Sequence, residues 1–171
     1  MSIDLDTARR LIVVARAHAR SLESKPMTVV VLDAGGHVVV VEREDGSSTK
    51  RFEIAFGKAH GAISLGMGSR ALMARAEQQP YFMTAVTSAI GGSLVPVPGG
   101  VLVRDADGTL LGAVGVSGDT SDRDEAVAVA GIDAVGLWTT RSTSEARASD
   151  VGAHRVSGGA SGCRGRRRGR R

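Results

Sequence analysis

The stretch MTVVVLDAGGHVVVV, residues 27–41, decides the fold of this chain. Two valine-rich runs flank Ala34, Gly35 and Gly36, and glycine supplies the positive φ that a tight turn between strands needs. The stretch therefore predicts a β-hairpin. Its valines are continuous rather than alternating with polar residues, which is typical of strands buried on both faces. We expect both strands to be central in a sheet and covered by helices.

A second hairpin is predicted further along the chain. Residues 101–104 and 109–117 are apolar runs, and the turn sequence DADG at 105–108 joins them. Gly112 and Gly115 lie inside the second run. Glycine within a strand indicates a bulge or the close approach of another backbone.

Helices are predicted before, between and after the two hairpins, because apolar residues there recur at three- and four-residue spacing. The predicted helices are 4–22, 49–64, 69–77, a turn or two within 81–88, and 123–138. Helices segregated from antiparallel strands predict an α+β sandwich. The chain has no alternation of single strands and helices, which disfavours a dinucleotide-binding fold of parallel strands.

The charge of the chain is unevenly distributed. The net charge is +4 and the isoelectric point is about 10.0. Residues 1–140 carry 13 Lys and Arg against 16 Asp and Glu, a net charge of −3, whereas residues 141–171 carry nine Arg against two acids, a net charge of +7. We therefore predict a mildly acidic domain over 1–140. Residues 141–171 lose the apolar periodicity and are expected to form a disordered Arg-rich tail.

Composition excludes several classes of protein. Five aromatic residues are too few for a platform that stacks single-stranded nucleic acid. The single cysteine, Cys163, excludes an internal disulfide framework and a zinc finger. No run of 18 apolar residues is present, and the first residues lack a signal-peptide pattern, so we expect a cytoplasmic protein with no membrane partner. Nucleic acid could bind only through the Arg-rich tail, by phosphate contacts without sequence preference; the alternative is a tail without a partner.

Glycine-rich loops are the first candidate site. The sequences PGG at 98–100 and GAVGVSG at 112–118 precede a predicted helix, whose N-terminus attracts anions. The alternative is a hairpin bulge followed by a helix cap from Thr120, Ser121 or Asp122.

Charged and imidazole side chains form the other candidate sites. Glu53, Lys58 and His60 share the helix over 49–64, where they form either a solvated face or a pocket in which Lys58 or His60 holds a carboxylate or a metal. His18 and His60 could serve as ligands of haem iron. No CxxCH motif is present, which excludes covalently attached haem.

Three stretches together resemble the GlcG/HbpS family, which includes the C-terminal domain of PduO-type proteins. They are MTVVVLDAGGHVVVVEREDG (27–46), FEIAFGKAHGAISLG (52–66) and PVPGGVLVRDADGTLLGAVGVSGDTSDRDEAVAVAGIDAV (96–135). The specific features are the D-A-G-G-H hairpin, the P-G-G before a strand, and the glycine-rich block that ends in A-x-A-G. The resemblance covers about residues 3–138.

The resemblance implies a five-stranded antiparallel sheet flanked by helices, similar to profilin-like or PAS-like scaffolds. It implies a homo-oligomer, from dimer to octamer. Some members bind or degrade haem, and others accompany glycolate or propanediol metabolism. The leading hypothesis is therefore an oligomer that binds haem or a related small molecule in a Gly-rich pocket. The alternative is an enzyme that acts on a small oxygenated metabolite with a carbonyl or carboxylate group.

Site residues follow from the family pattern for some positions only. The resemblance places Gly99, Gly100, Ser117 and Gly118 at the edge of the pocket. It also places Lys58 at the lysine of an I-A-x-x-K-A segment.

For the enzyme alternative, Lys58 would bind or polarise the carbonyl or carboxylate. Glu53, which occupies the family's common acidic position, or Asp33 would act as acid or base. For haem, His18 and His60 are the candidate iron ligands and cofactor-binding residues.

Overall fold

The computed structural model describes residues 1–139; the predicted tail, 141–171, lies outside the described residues. The elements run in the order helix, hairpin, three helices, hairpin, helix and a final short strand. They are α1 (Leu5–Ser21), β1 (Thr28–Asp33), β2 (Val38–Arg43), α2 (Arg51–Leu65), α3 (Ser69–Gln78), α4 (Pro80–Ala89), β3 (Gly100–Arg104), β4 (Leu110–Ser117), α5 (Ser121–Ala134) and β5 (Trp138–Thr139).

The strands form one five-stranded sheet in the order β2-β1-β4-β3-β5. Every neighbouring pair is antiparallel. The predicted α+β class and the five-stranded antiparallel sheet are therefore confirmed. Both predicted hairpins are present, and the long pairing of β1 with β4 joins them at the centre of the sheet.

Helices cover both faces of the sheet. On one face, α1 and α5 pack together over Val29, Val31 and Val114. On the other face, α2 packs over Val30 and Leu32. Successive residues of a strand point to opposite faces, so the continuous valine run of β1 fills two cores at once. This explains why the run does not alternate with polar residues.

Glycine in β4 lets α2 lie close to the sheet. A Cβ added at Gly115 would overlap the carbonyl oxygen of Ala55 in α2, and it would press on the Cβ of Ala59. The approach of another backbone that the sequence predicts at this position is thus confirmed. α3 and α4 form a separate helix pair around a small cluster that includes Leu72 and Met83.

Two local predictions are wrong. β2 is an edge strand, and Val38 and Val41 are exposed, because β2 has β1 on one side only and no helix fully covers it. The last helix ends at Ala134 rather than at 138, because Gly136 adopts a positive φ of 73° and the chain continues into β5. None of the helices described is long and apolar enough to cross a membrane.

Candidate functional site

A buried ion pair lies where α2, β4 and α5 meet. Lys58 Nζ is 2.7 Å from Asp124 Oδ2 and donates a second hydrogen bond to the carbonyl oxygen of Val116 at 3.0 Å. Both charged side chains are only 2% exposed. The prediction that Lys58 lies on a solvated helix face is therefore wrong: its ammonium group enters the protein interior.

The backbone around this ion pair has room only for glycine. A Cβ at Gly99 would lie 2.9 Å from Lys58 Nζ and 2.9 Å from Asp124 Cβ. A Cβ at Gly100 would overlap the carbonyl of Lys58 itself. The PGG sequence thus wraps directly around the lysine, and the family motif is explained here by close packing.

The start of α5 aims the carboxylate at the lysine. The Thr120 side chain caps the helix by accepting from the Arg123 N–H. Asp124 Oδ1 accepts from the Asp119 N–H at 3.1 Å, which leaves Oδ2 for Lys58. Burial lowers the pKa of Lys58, and the hydrogen bond that its ammonium group donates to Asp124 opposes that shift.

Two of the four predicted pocket-edge residues, Gly99 and Gly100, pack directly against Lys58. Gly99, Gly100 and Ser117 are buried, and the Ser117 hydroxyl accepts from Arg51 Nη1 at 3.1 Å. Gly118 is also buried, but it packs against Met27 and Pro26. The arrangement binds the two helix layers to the end of β4.

The three predicted catalytic residues are not brought together. Glu53 is on the surface, where its carboxylate pairs with Lys50. Asp33 accepts from the backbone N–H groups of Gly35 and His37, so its carboxylate closes the first hairpin turn.

The register separates Asp33 from Lys58 by most of a strand. Val116, the backbone partner of Lys58, pairs with Val29, whereas Asp33 pairs with Gly112. Four residues of strand span about 13 Å. The enzyme alternative stays a prediction without an assembled site.

His60 lies on α2 beside the first hairpin. Its Nδ1 is 3.0 Å from the carbonyl oxygen of Ser93, so Nδ1 donates, and the ring stacks on Phe56 at a centroid distance of 5.2 Å. A neutral imidazole held in this way presents Nε2 as the acceptor. The turn residue Gly36 lies beside the ring, since a Cβ there would be in ordinary van der Waals contact with His60 Cδ2 at 3.6 Å.

His18 lies on α1, next to an open groove on the other side of the sheet. The groove has a volume of about 400 Å³ and is formed by α1 and the end of α5. Its lining residues are Arg9, Arg10, Val13, Val14, Ala134 and Val135. His18 follows Val14 by four residues, so it lies one turn further on the same side of α1. His18 is not itself one of the residues that line the groove.

The two candidate iron ligands cannot meet within one chain. α1 and α5 lie on one face of the sheet and α2 lies on the other. Each histidine would therefore serve a separate site. Residues 1–139 contain no cluster of three or more His, Cys, Asp or Glu side chains that could hold a bare metal ion.

Two residues of the buried site were missed from sequence. Asp124 belongs to the glycine-rich block by which the chain resembles the family, but it was not predicted to be a site residue. Ser69 begins α3, and its buried hydroxyl accepts from the Gly100 N–H at 2.7 Å. Both contacts join segments that are distant in sequence, so local pattern does not reveal them.

Comparison with known protein families gives one match that spans most of the described chain. A family model described as "Haem degrading protein HbpS-like" matches residues 3–133. A curated relative, an uncharacterised 15.0 kDa protein encoded between dhaT and dhaS in Citrobacter freundii, is 27% identical over 125 residues. That alignment covers 70% of this chain and 87% of the relative.

Solved structures agree with the fold. A PduOC:heme complex has a TM-score of 0.73 at 25% identity, with 82% of this chain and all of that chain covered. The HbpS crystal structure has a TM-score of 0.68 at 28% identity, with 78% and 90% covered. A double variant of Streptomyces reticuli HbpS has the same TM-score at 27% identity, with 78% and 87% covered.

Proposed function

The chain belongs to the HbpS-like family, and on this premise we propose that it binds haem in the groove between α1 and α5, with His18 as the iron ligand. The observation that carries the proposal is the composition of that groove. It combines an apolar floor, two arginines and a histidine one helical turn away.

The floor of the groove suits a flat apolar ring. Val13 and Val14 of α1 face Ala134 and Val135 of α5, and Val13 is 62% exposed. An apolar ligand that covers these exposed side chains removes apolar surface from water, and this contributes favourably to the binding free energy. Ligand sites in proteins typically have volumes of about 300–1,000 Å³, so a groove of about 400 Å³ lies within that range.

The arginines suit the two carboxylates of haem. Arg9 and Arg10 are adjacent on the groove's rim. Guanidinium groups bind carboxylates through charge-assisted hydrogen bonds, which are stronger than hydrogen bonds between neutral groups. The only other contacts that these side chains make in the described residues are surface contacts with Asp6 and Thr7, which a ligand carboxylate can replace.

One histidine is sufficient to hold haem iron, because the porphyrin supplies four nitrogen ligands of its own. This agrees with the lack of a three-residue metal cluster within residues 1–139. Imidazole is a common protein ligand of haem iron. Bound haem would supply a redox-active iron, while the protein residues fix the ring and its carboxylates against α1 and α5.

The test is a haem titration of the full chain, followed by the Soret band. We expect the band to shift on binding in the wild type. His18→Ala should weaken binding by about tenfold or more and change the position of the band, because the iron loses its imidazole. His60→Ala is the matched control, since it removes the same side chain from the opposite face, and it should bind as the wild type does.

Two results would contradict the proposal. If the wild type gives no Soret shift, haem is not a ligand of this chain. If His60→Ala loses the shift while His18→Ala keeps it, the ligand lies on the α2 face and the groove is not the site.

A further inference from the structure

Three buried hydroxyl groups lie together at the end of the sheet where α2 begins. Thr28, the first residue of β1, pairs with Ser117, the last residue of β4, so their side chains are neighbours on one face of the sheet. The Ser47 hydroxyl is 3.2 Å from the Thr28 hydroxyl. Thr28 and Ser117 are fully buried, and Ser47 is 4% exposed. These three residues form a polar corner beside a largely apolar core.

Two arginines contact this polar corner from different elements. Arg51, in the first turn of α2, donates from Nη1 to the Ser117 hydroxyl and from Nε to the Ser48 hydroxyl, both at 3.1 Å. Arg43, the last residue of β2, donates to the carbonyl oxygen of Ser47. Because Ser47 and Ser48 are consecutive, the two guanidinium groups contact adjacent residues of one turn.

The two positive charges are not balanced by acids of the described chain. Within residues 1–139, neither Arg43 nor Arg51 forms an ion pair, and their hydrogen bonds go to neutral oxygens. The acids that flank them in sequence pair with other cations, Glu42 and Glu44 with Arg16 and Glu53 with Lys50. Asp45 is exposed and forms an ion pair with neither arginine. The polar corner therefore has an excess of positive charge.

The start of α2 adds to this excess. The first N–H groups of a helix give its N-terminus a partial positive charge, which disfavours a cation such as Arg51 in the first turn. Asp4 and Thr120 cap α1 and α5 with their side chains, whereas α2 has no side-chain cap. An anion bound there would offset both the repulsion between the arginines and the uncapped helix start.

We propose that the polar corner, with Arg43 and Arg51, binds a phosphate dianion, either free or as the monoester group of a small molecule. A guanidinium group has five N–H donors. Arg51 uses two of them in the described contacts and Arg43 uses one, so both retain donors for a ligand. Guanidinium groups bind phosphate oxygens through charge-assisted hydrogen bonds, and donors from two directions match a tetrahedral anion.

This site lies apart from the haem groove. Thr28 precedes Val30 by two residues in β1, so its side chain is on the face of the sheet that α2 covers. α1 and α5 form the haem groove on the other face. Binding of phosphate and binding of haem can therefore be measured separately.

The first experiment measures thermal unfolding of the full chain, without haem, in inorganic phosphate and in chloride at equal ionic strength. Phosphate at about ten times its dissociation constant should raise the wild-type midpoint by roughly 3–6 °C. Arg51→Gln should lose most of this rise. Arg75→Gln is the matched control, because it removes an arginine from α3 whose guanidinium lies over the ring of Phe82, and it should keep the rise.

The control variant also accounts for two other effects of phosphate. Phosphate stabilises many folded proteins because it is excluded from their surface, and this effect is the same in both variants. The arginines of residues 141–171 are likewise the same in both variants. A difference between Arg51→Gln and Arg75→Gln therefore reports the polar corner.

The second experiment follows the phosphorus NMR signal of the ligand and does not depend on the folding of Arg51→Gln. Arg43 is exposed, so Arg43→Gln leaves the core intact, and it should weaken phosphate binding by about tenfold or more. The titration uses inorganic phosphate in one arm and glycerol phosphate in the other. Tighter binding of glycerol phosphate identifies a monoester as the ligand, and tighter binding of inorganic phosphate identifies the free ion.

Two results would overturn the proposal. One is an equal phosphate-dependent rise in Arg51→Gln and Arg75→Gln, and the other is wild-type affinity for both phosphates in Arg43→Gln. A haem titration of Arg43→Gln should give the wild-type Soret shift. A failure of phosphate binding thus leaves the haem proposal intact, and a missing Soret shift leaves the phosphate proposal intact.

Discussion

Lys58 Nζ and Asp124 Oδ2, 2.7 Å apart, connect two helices that lie on opposite faces of the sheet. Lys58 belongs to α2 and Asp124 to the first turn of α5. The lysine also bonds to the carbonyl of Val116 near the end of β4. Three layers of the sandwich are therefore held at one point by a single buried side chain.

Breaking this ion pair on one side should strongly destabilise the domain. Lys58→Met leaves the Asp124 carboxylate buried without its cation, and removing one partner of a buried pair typically costs about 3–5 kcal/mol. We expect a loss of that size in the free energy of unfolding, measured by urea denaturation. The double variant Lys58→Met/Asp124→Leu should recover most of it, because no charge then remains in the interior.

The double variant also distinguishes a structural role of Lys58 from a role in ligand binding. If the single variant loses less than about 1 kcal/mol, the site is open to water and the burial described above is wrong. If the double variant is stable but loses a ligand-dependent signal that Glu53→Gln retains, the lysine has a binding role beyond packing.

The Asp33 turn should make part of the stability depend on pH. The backbone N–H of His37 holds the pKa of Asp33 below its ordinary value, against an opposing effect of burial. A carboxylate with a lowered pKa in the folded state stabilises the protein above its unfolded pKa, and this contribution is lost as pH falls through the folded pKa. The wild type should therefore lose stability below about pH 4.

Asp33→Asn should reduce this loss of stability at acidic pH. The amide oxygen can still accept hydrogen bonds in the turn, but the amide group does not titrate. The measurement is urea denaturation at a series of acidic pH values. Asp107→Asn, in the turn of the second hairpin, controls for the loss of one negative charge. If the free energy of unfolding falls with acidic pH as steeply in Asp33→Asn as in the wild type, Asp33 does not make the predicted contribution to stability.

Close packing of α2 on β4 should make Gly115 intolerant of any side chain. A Cβ there meets the backbone of Ala55, which cannot move aside as a flexible side chain can. We expect Gly115→Ala to cost at least about 3 kcal/mol, the upper end of ordinary overpacking penalties. Gly66→Ala is the comparison: it has a positive φ of 67° with open space around it, and should cost only about 1–2 kcal/mol. Equal effects in thermal unfolding would show that α2 is not closely packed.

The local sequence pattern was sufficient to predict those helices and strands that depend only on residues close together in the chain. The valine runs and turn glycines around residues 27–41 predicted a hairpin, and spacing predicted the helices. The edge position of β2 was missed, because a strand's neighbours depend on which distant strand pairs with β1. That partner is β4, about 80 residues later, and nothing within 27–41 encodes it.

The candidate site, too, was predicted only in part. The resemblance singled out Lys58, Gly99 and Gly100, and the structure brings these three together. It did not show that they surround an ion pair, because Asp124, although part of the same family pattern, is 66 residues from Lys58 in the sequence. The groove between α1 and α5 was not predicted either, since it exists only where the end of α5 lies against α1.

The arginines at the groove should control haem affinity by charge. Arg9→Gln/Arg10→Gln removes the two cations proposed to bind the haem carboxylates, and we expect the affinity to fall by about tenfold or more while the Soret position stays as in the wild type, because His18 is untouched. Lys25→Gln/Lys50→Gln removes the same net charge elsewhere and should leave affinity unchanged. Raising the salt concentration should weaken wild-type binding more than that of the arginine variant, because exposed charge pairs are screened. Equal affinities for the two double variants would mean that the haem carboxylates lie away from this end of α1, and would argue against the orientation proposed for the ring.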